Sequence, residues 1–195
     1  MDNNTSSLKV KIAIIVAVQS EDMEVIIPYD LWKRAGISVE KISIEKKNTI
    51  SLQSGTKIYC EDTLEKTNLD RFTAIYLPGG KGHEKFLDEK SCKKLHEKLA
   101  KFAADDSKKW IFAMCAAPSV LSRLEIAGDK KKTVYPGFEK YLGPNYVDKD
   151  VCVDGHLITA RSASFAFDFS LTVIEQLINK QAALNVAKAI LYKKP

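Results

Sequence analysis

The residues with the most chemical potential stand where an apolar run changes character. Trp110-Ile111-Phe112-Ala113 reads as a short buried β-strand. Within about two residues the pattern turns helical, with Val120, Leu121 and Leu124 spaced for one helix face. Cys115 sits at the change. A sharp strand-to-helix turn pushes a side chain out over the sheet edge. The following helix aims free N–H groups and the positive end of its dipole back at that side chain. Both favour the thiolate, which is the nucleophilic form. Taken alone, the pattern also fits a small buried core cysteine.

Two further groups could join it. Glu24 falls in the first turn of a predicted helix, just past the apolar run Val10 to Val18. In a parallel α/β sheet, ligands and catalytic groups collect at that end of the strands. Position alone favours a solvated helix-start carboxylate. Thr73-Ala74-Ile75-Tyr76-Leu77 is a second buried strand that runs into Pro78-Gly79-Gly80-Lys81-Gly82-His83. Neither Walker spacing nor GxGxxG is present, so this is a weak phosphate-loop signal. As half of an oxyanion site it is plausible, with the Gly80 N–H facing a group held at Cys115. His83 reads as a surface residue at a helix start in preference to a catalyst.

The elements that must position these residues follow from the hydropathy pattern. Val10 to Val18 is the strand type covered on both faces. Ser20 is the expected cap of the next helix. Met23, Ile26, Ile27 and Leu31 form its apolar face, Pro28 kinks or restarts it, and Gly36 ends it. Val39 to Ile44 is a second strand. Ile50-Ser51-Leu52 and Lys57-Ile58-Tyr59 flank Ser54-Gly55 as a small hairpin that need not belong to the main sheet. Cys92 to Phe102 is an amphipathic helix with Leu95, Leu99 and Phe102 inward. Gly128 to Lys132 reads as a solvated charged loop. Thr133 to Gly137 reads as a short strand ending in a turn, and Phe138 to Leu142 as one helical turn. Asp154-Gly155-His156 joins Val147–Val153 to Leu157–Ala160 as a hairpin. Ser162 to Ile178 and Gln181 to Tyr192 are the last helices. Strands alternate with helices, so the class is α/β with a mostly parallel sheet.

Composition narrows the class. The 195 residues are 45% apolar and 28% charged, the balance of one ordinary globular domain. Residues 1–8 read as a disordered lead-in without a secretory pattern, and 9–195 as a single domain. No long uncharged apolar run suggests a membrane span. The net charge is +5, but the lysines are scattered among acids, so no nucleic-acid footprint is expected. Cys60, Cys92, Cys115 and Cys152 form no CxxC pair, which fits reduced thiols and a cytoplasmic location. His83, His96 and His156 make no metal-ligand spacing with them.

Several stretches together carry a resemblance. They are Glu21 to Asp30, Arg34-Ala35-Gly36-Ile37, Leu77-Pro78-Gly79-Gly80, Ala113 to Pro118, and Asp154 to Arg161. The chain resembles the DJ-one/ThiJ/PfpI superfamily from Val10 to Tyr192, and the DJ-one branch most closely. The resemblance implies a flavodoxin-like three-layer α/β sandwich, usually a homodimer. It implies that Cys115 is the reactive elbow cysteine and that Glu24 is its acidic partner, hydrogen-bonding it as a protonated carboxyl. Gly80 and Ala116 match the backbone oxyanion donors. Gly79, Tyr135 and Arg161 match pocket positions. No metal or cofactor is implied.

The departures matter. The second-site histidine of the family falls on Tyr135, within Thr133-Val134-Tyr135-Pro136. Tyrosine is a poor base near neutral pH, because its free pKa is about 10. Cys115-Ala116-Ala117-Pro118 stands in place of Cys-Ala-Gly-Pro, so the Ala117 methyl either narrows the pocket or packs against the sheet. Ser162-Ala163-Ser164 alters the pocket rim. His83 and His156 are not at family positions, which disfavours a Cys-His-acid peptidase. Two functions follow from the resemblance. One is cofactor-independent chemistry on a small reactive aldehyde, such as methylglyoxal to lactate or deglycation. The other is a redox-responsive protein whose Cys115 oxidises to a sulfinate with little catalysis.

Overall fold

The computed structural model describes residues 10–104 and 108–193; the lead-in assigned to residues 1–8 lies outside them. Strand β1 (Lys11–Val16) is followed by helix α1 (Asp22–Arg34), β2 (Ser38–Ser43), the hairpin β3 (Thr49–Ser51) and β4 (Lys57–Tyr59), and the short β5 (Asp62–Thr63). Then come β6 (Ala74–Leu77), α2 (Glu89–Ala103), β7 (Trp110–Met114), α3 (Ala117–Arg123), β8 (Val151–Asp154), β9 (Leu157–Ala160), α4 (Ala166–Leu177) and α5 (Lys180–Ala189). The main sheet has seven strands in the order β5-β2-β1-β6-β7-β9-β8. All its pairings are parallel except β8 against β9. The hairpin forms its own two-stranded sheet.

Alternation along the buried strands divides the core. Ile12, Ile14, Val16, Tyr76, Phe112 and Met114 face the layer of α1, α4 and α5. Ala13, Ile15, Ile75, Leu77, Ile111 and Ala113 face α2 and α3. This is the expected three-layer flavodoxin-like sandwich. β1 pairs with β2 on one side and β6 on the other, so the chain reverses its direction of travel across the sheet at β1 and β6. A crevice opens at such a switch point, outside the carboxyl ends of the strands.

Several local expectations need correction. The cap of α1 is Glu21, whose carboxylate accepts from Glu24 N–H at 2.8 Å. Ser20 Oγ instead accepts from Ala17 N–H. Met23 (45% exposed) and Ile26 (40%) point outward, and the inward face is Glu24, Val25, Pro28, Leu31 and Trp32. Lys132 is buried, with Nζ donating to the carbonyls of Ala127 and Lys130. A buried ammonium is tolerable when its donors are satisfied. Residues 133–137 form no strand: the β-bridge of this stretch joins Lys132 to Tyr146. A 3-10 turn (Ala163–Phe165) precedes α4, so the helix begins later than its periodicity suggests.

Candidate functional site

Three loops meet at the carboxyl edge of the sheet. β7 ends at Met114, and Cys115 follows with φ of 59°, in the left-handed region that non-glycine residues seldom occupy. Two hydrogen bonds hold this conformation. Cys115 N–H donates to Ala160 O on β9 at 2.8 Å, and Tyr135 N–H donates to Cys115 O at 2.8 Å. Together they turn the thiol off the sheet at a strained junction. α3 has no side-chain cap, and the Ala116 N–H is directed at the Cys115 sulfur.

The second loop is Pro78-Gly79-Gly80. Gly79 N–H donates to Glu24 Oε2 at 2.6 Å. A Cβ at Gly79 would lie 2.7 Å from Cys115 Cβ and 3.0 Å from Glu24 Oε2, so a side chain there would separate the two groups. Gly80 has φ of 83°, and a Cβ on it would meet Glu21 N at 2.4 Å. Only glycine fits this position without shifting backbone. With the Ala116 N–H, the Gly80 N–H pulls the Cys115 thiol toward its ionised form.

Glu24 comes from α1 and is fully buried. Pro28 lies four residues later inside the same helix and has no N–H for the Glu24 carbonyl. Tyr76 of β6 supplies the missing donor: its hydroxyl donates to Glu24 O at 2.9 Å. The proline that was expected to kink or restart the helix instead leaves a carbonyl by which the sheet grips Glu24. Its carboxyl and the Cys115 thiol perturb each other's ionisation, and Glu24 Oε1 is buried with no hydrogen-bond partner.

This pairing sets the electrostatics. Burial pushes the Glu24 carboxyl up to about 7, against the pull of the Gly79 N–H. Burial also pushes the Cys115 thiol up, reinforced by Glu24 when that group is ionised; the Gly80 and Ala116 N–H groups pull the other way. The expectation that the elbow alone lowers the thiol is therefore corrected. Two neighbouring acids that resist a second negative charge titrate as a pair. A single negative charge on the pair is favoured over two.

Glu24, Gly80, Cys115 and Ala116 line one open cavity of about 580 Å³. Its walls also include Glu21, Gln53, Lys81, His83, Tyr135, Phe138 and Ser162-Ala163-Ser164. Tyr135 lies on this wall; Gly79, expected in the pocket, is not among the lining residues and instead holds Glu24 through its N–H. Arg161 is not among the lining residues; its guanidinium pairs with Asp148 and lies 3.9 Å from Asp150. Ala117 is fully buried in the core and packs there without narrowing the cavity. His83, expected at the surface, is 7% exposed. Sequence reasoning also passed over Tyr76 and Gln53. A tyrosine in a fully buried strand needs a partner for its hydroxyl, and that need was the available signal for Tyr76. Among the described residues no group of three or more His, Cys, Asp or Glu could hold a metal, and no helix is long and apolar enough to cross a membrane.

The comparisons with known proteins agree with this architecture. The DJ-1/PfpI family pattern matches residues 10–176. Protein dj-1beta of Drosophila melanogaster is 34% identical over 181 residues, covering 91% of this chain and 95% of that protein. A deglycase of Pyrococcus horikoshii is 30% identical over 156 residues, covering 77% of this chain and 89% of that protein. The oxidized DJ-1 of Toxoplasma gondii superposes with a TM-score of 0.86 at 28% identity, over 95% of this chain and 100% of that one. A fold with its cysteine at the β7–α3 turn, a family pattern over most of the length and relatives at this identity lead to one assignment: the chain belongs to the DJ-1/PfpI family.

Proposed function

We propose that this protein is a cofactor-independent enzyme acting on small reactive aldehydes, with Cys115 as nucleophile and Glu24 as proton carrier. The observation that carries this reading is the convergence of Glu24, Gly80 N–H and Ala116 N–H on one sulfur at the floor of an open cavity. The deglycase of Pyrococcus horikoshii among the relatives supports the same class of chemistry.

The chemistry follows from the single charge on the pair. Moving the shared proton onto Glu24 leaves a thiolate, which the two N–H groups stabilise. The thiolate adds to the aldehyde carbon of methylglyoxal, and the carbonyl oxygen becomes an oxyanion beside the same donors. Glu24 delivers its proton to that oxygen, which gives a hemithioacetal. As a carboxylate it then takes the proton from the former aldehyde carbon and returns one at the neighbouring carbon, while the hemithioacetal hydroxyl gives its proton to the former ketone oxygen, so the ketone becomes an alcohol and the former aldehyde carbon a thioester carbonyl. The product is a lactoyl thioester of Cys115. Water hydrolyses it to lactate and restores the thiol, so methylglyoxal plus water gives lactate with no net oxidation.

A second reading has its own support. The donors that would hold an oxyanion would also hold a cysteine sulfinate, and Glu24 in its acid form would donate to it. Glutathione-free lactate production by the wild type, Cys115→Ala and Glu24→Gln separates the two. Turnover that falls at least about 100-fold in both variants, as loss of a nucleophile or proton carrier implies, supports the enzyme. No wild-type turnover, with a selective two-oxygen gain at Cys115 under mild peroxide, overturns the enzyme and leaves the sulfinate reading. The homodimer belongs to the same proposal: Met23 and Ile26 leave an exposed apolar face on α1. A monomer by light scattering would remove it.

A further inference from the structure

The glycine loop and the elbow helix come from different strands, yet their N–H groups meet at one sulfur. Something must fix their separation, and His83 is placed to do it. Its ring is held on two sides. Nδ1 lies 2.8 Å from Gly80 O, which also accepts the His83 backbone N–H at 3.2 Å. A carbonyl can only accept, so Nδ1 carries the hydrogen. The ring meets Phe138 edge-on at 5.3 Å, on the facing cavity wall. Nε2 is buried without a hydrogen bond and lies 3.3 Å from Glu84 Oε1. Arg123 Nη1 is 2.7 Å from that same oxygen. Arg123 is the last residue of α3, the helix that begins beside the Ala116 donor.

We infer that His83 is a positioning residue: its Nδ1–H fixes the Gly80 loop, and its ring braces that loop against Phe138 across the cavity. The Gly80 loop is then confined from both sides. On the far side it abuts the start of α1, where a Gly80 Cβ would meet backbone atoms of Gln19, Ser20 and Glu21 at 2.4–2.9 Å. His83 does not touch the reacting atoms, because its outer nitrogen is buried. The Nδ1 link carries the role, since Nε2 bears no hydrogen in this tautomer and makes no bond to the Glu84 carboxylate.

The inference deepens the aldehyde-enzyme reading, and only its kinetic arm rests on that reading. The test compares wild type, His83→Asn, His83→Phe and His83→Gln. Asparagine keeps an N–H donor at the Nδ1 position, and phenylalanine keeps the ring contact alone. One readout is the pH profile of Cys115 alkylation by iodoacetamide, followed by mass spectrometry; the other is kcat and KM on methylglyoxal. Glu24 and Tyr76 titrate beside Cys115, with Glu21, Lys81 and Tyr135 on the cavity wall, and all are unchanged in the variants. Expected for His83→Phe is an alkylation midpoint about one pH unit higher and a kcat about tenfold lower with KM within twofold, a fraction of the loss from deleting an oxyanion donor. His83→Asn restores both to within about threefold of wild type. Should His83→Phe fail to fold, His83→Gln, which cannot present its amide at the Nδ1 position, is read in its place. Wild-type values in His83→Phe overturn the inference, and so does an equal defect in His83→Asn. If the wild type itself does not turn over methylglyoxal, the enzyme reading fails and the alkylation profiles alone decide the role of His83.

Discussion

On the α1/α4/α5 side of the sheet, Trp32, Tyr76, Phe112 and Phe169 pack ring against ring at centroid distances of 5.3–6.3 Å. Two of these rings carry polar ends that find backbone carbonyls: Trp32 Nε1–H donates to Ser170 O, and Tyr76 O–H to Glu24 O. On the α2/α3 side the same strands present mostly aliphatic residues to Leu95, Leu99, Val120 and Leu121. The two layers contribute different halves of the site. The aromatic layer fixes a side chain, Glu24, by gripping the backbone that bears it. The aliphatic layer fixes backbone, the Ala116 and Gly80 N–H groups, through α3 and the turn after β6. The buried carboxyl takes its hydrogen bond from the Gly79 N–H, while the Tyr76 ring holds the helix carbonyl that Pro28 leaves without a donor, and does so without breaking the packing.

The largest effect that can break this division is the loss of a ring. Phe169→Ala is expected to cost about 3–5 kcal/mol of stability, as large aromatic deletions do. It also removes the ring packed on Tyr76 at 5.3 Å, so Cys115 alkylation should change in whatever fraction stays folded. Leu99→Ala, in the other layer, is expected to cost about 2–4 kcal/mol and leave alkylation unchanged. Urea unfolding with alkylation under native conditions checks both. An equal change of alkylation in the two variants would show that the layers do not act separately.

Next in size is the pH dependence of Glu24. Its folded value of about 7 lies above the ordinary 4.5, so the folded state holds more protons than the unfolded state between those limits. Stability therefore falls as pH rises through this window, and Glu24 contributes a penalty of up to about 3 kcal/mol above it. Glu24→Gln keeps an oxygen for the Gly79 N–H and removes the titration. The variant should gain stability relative to wild type between pH 5 and pH 8, measured by urea unfolding at both. A gap that stays constant across that range would mean Glu24 ionises like a surface carboxyl.

Tyr76→Phe tests the grip itself. It leaves the Glu24 carbonyl buried without its donor, which costs about 1–3 kcal/mol. The informative readout is the alkylation profile of Cys115, which should shift because Glu24 is no longer anchored; an unshifted profile would reduce Tyr76 to packing.

Much of this division could be read in the sequence, and some could not. The strand-to-helix change at Cys115, the Gly79-Gly80 pair after a buried strand and the Asp154-Gly155 hairpin are signals written in adjacent residues. Their meaning survives without knowledge of the partner. α1 misled because its inward face carries a carboxylate, so apolar periodicity assigned Met23 and Ile26 inward where Glu24 and Val25 belong. Lys132 and His83 misled for the same reason. Each is polar and adjoins charged neighbours, yet each donates to carbonyls two to five residues away that a tight local turn presents to it. Polarity along a chain reports the cost of burial; the turn geometry that offsets it is not written in residue type.

The smallest effect separates packing from site geometry at one methyl. Ala117 begins α3, one residue past the Ala116 donor, where the family resemblance places glycine. Its methyl is fully buried against the aliphatic core and does not reach the cavity. Ala117→Gly removes about 0.8 kcal/mol of buried methyl and adds about 0.5–1 kcal/mol of backbone entropy cost. The expected loss is therefore about 1–2 kcal/mol by urea unfolding, with the Cys115 alkylation rate unchanged. If alkylation slows, α3 has moved relative to the glycine loop, and the aliphatic layer sets the donor geometry more tightly than side-chain packing alone requires. If it does not, the N–H donors are held by their hydrogen bonds, and the methyl serves stability only.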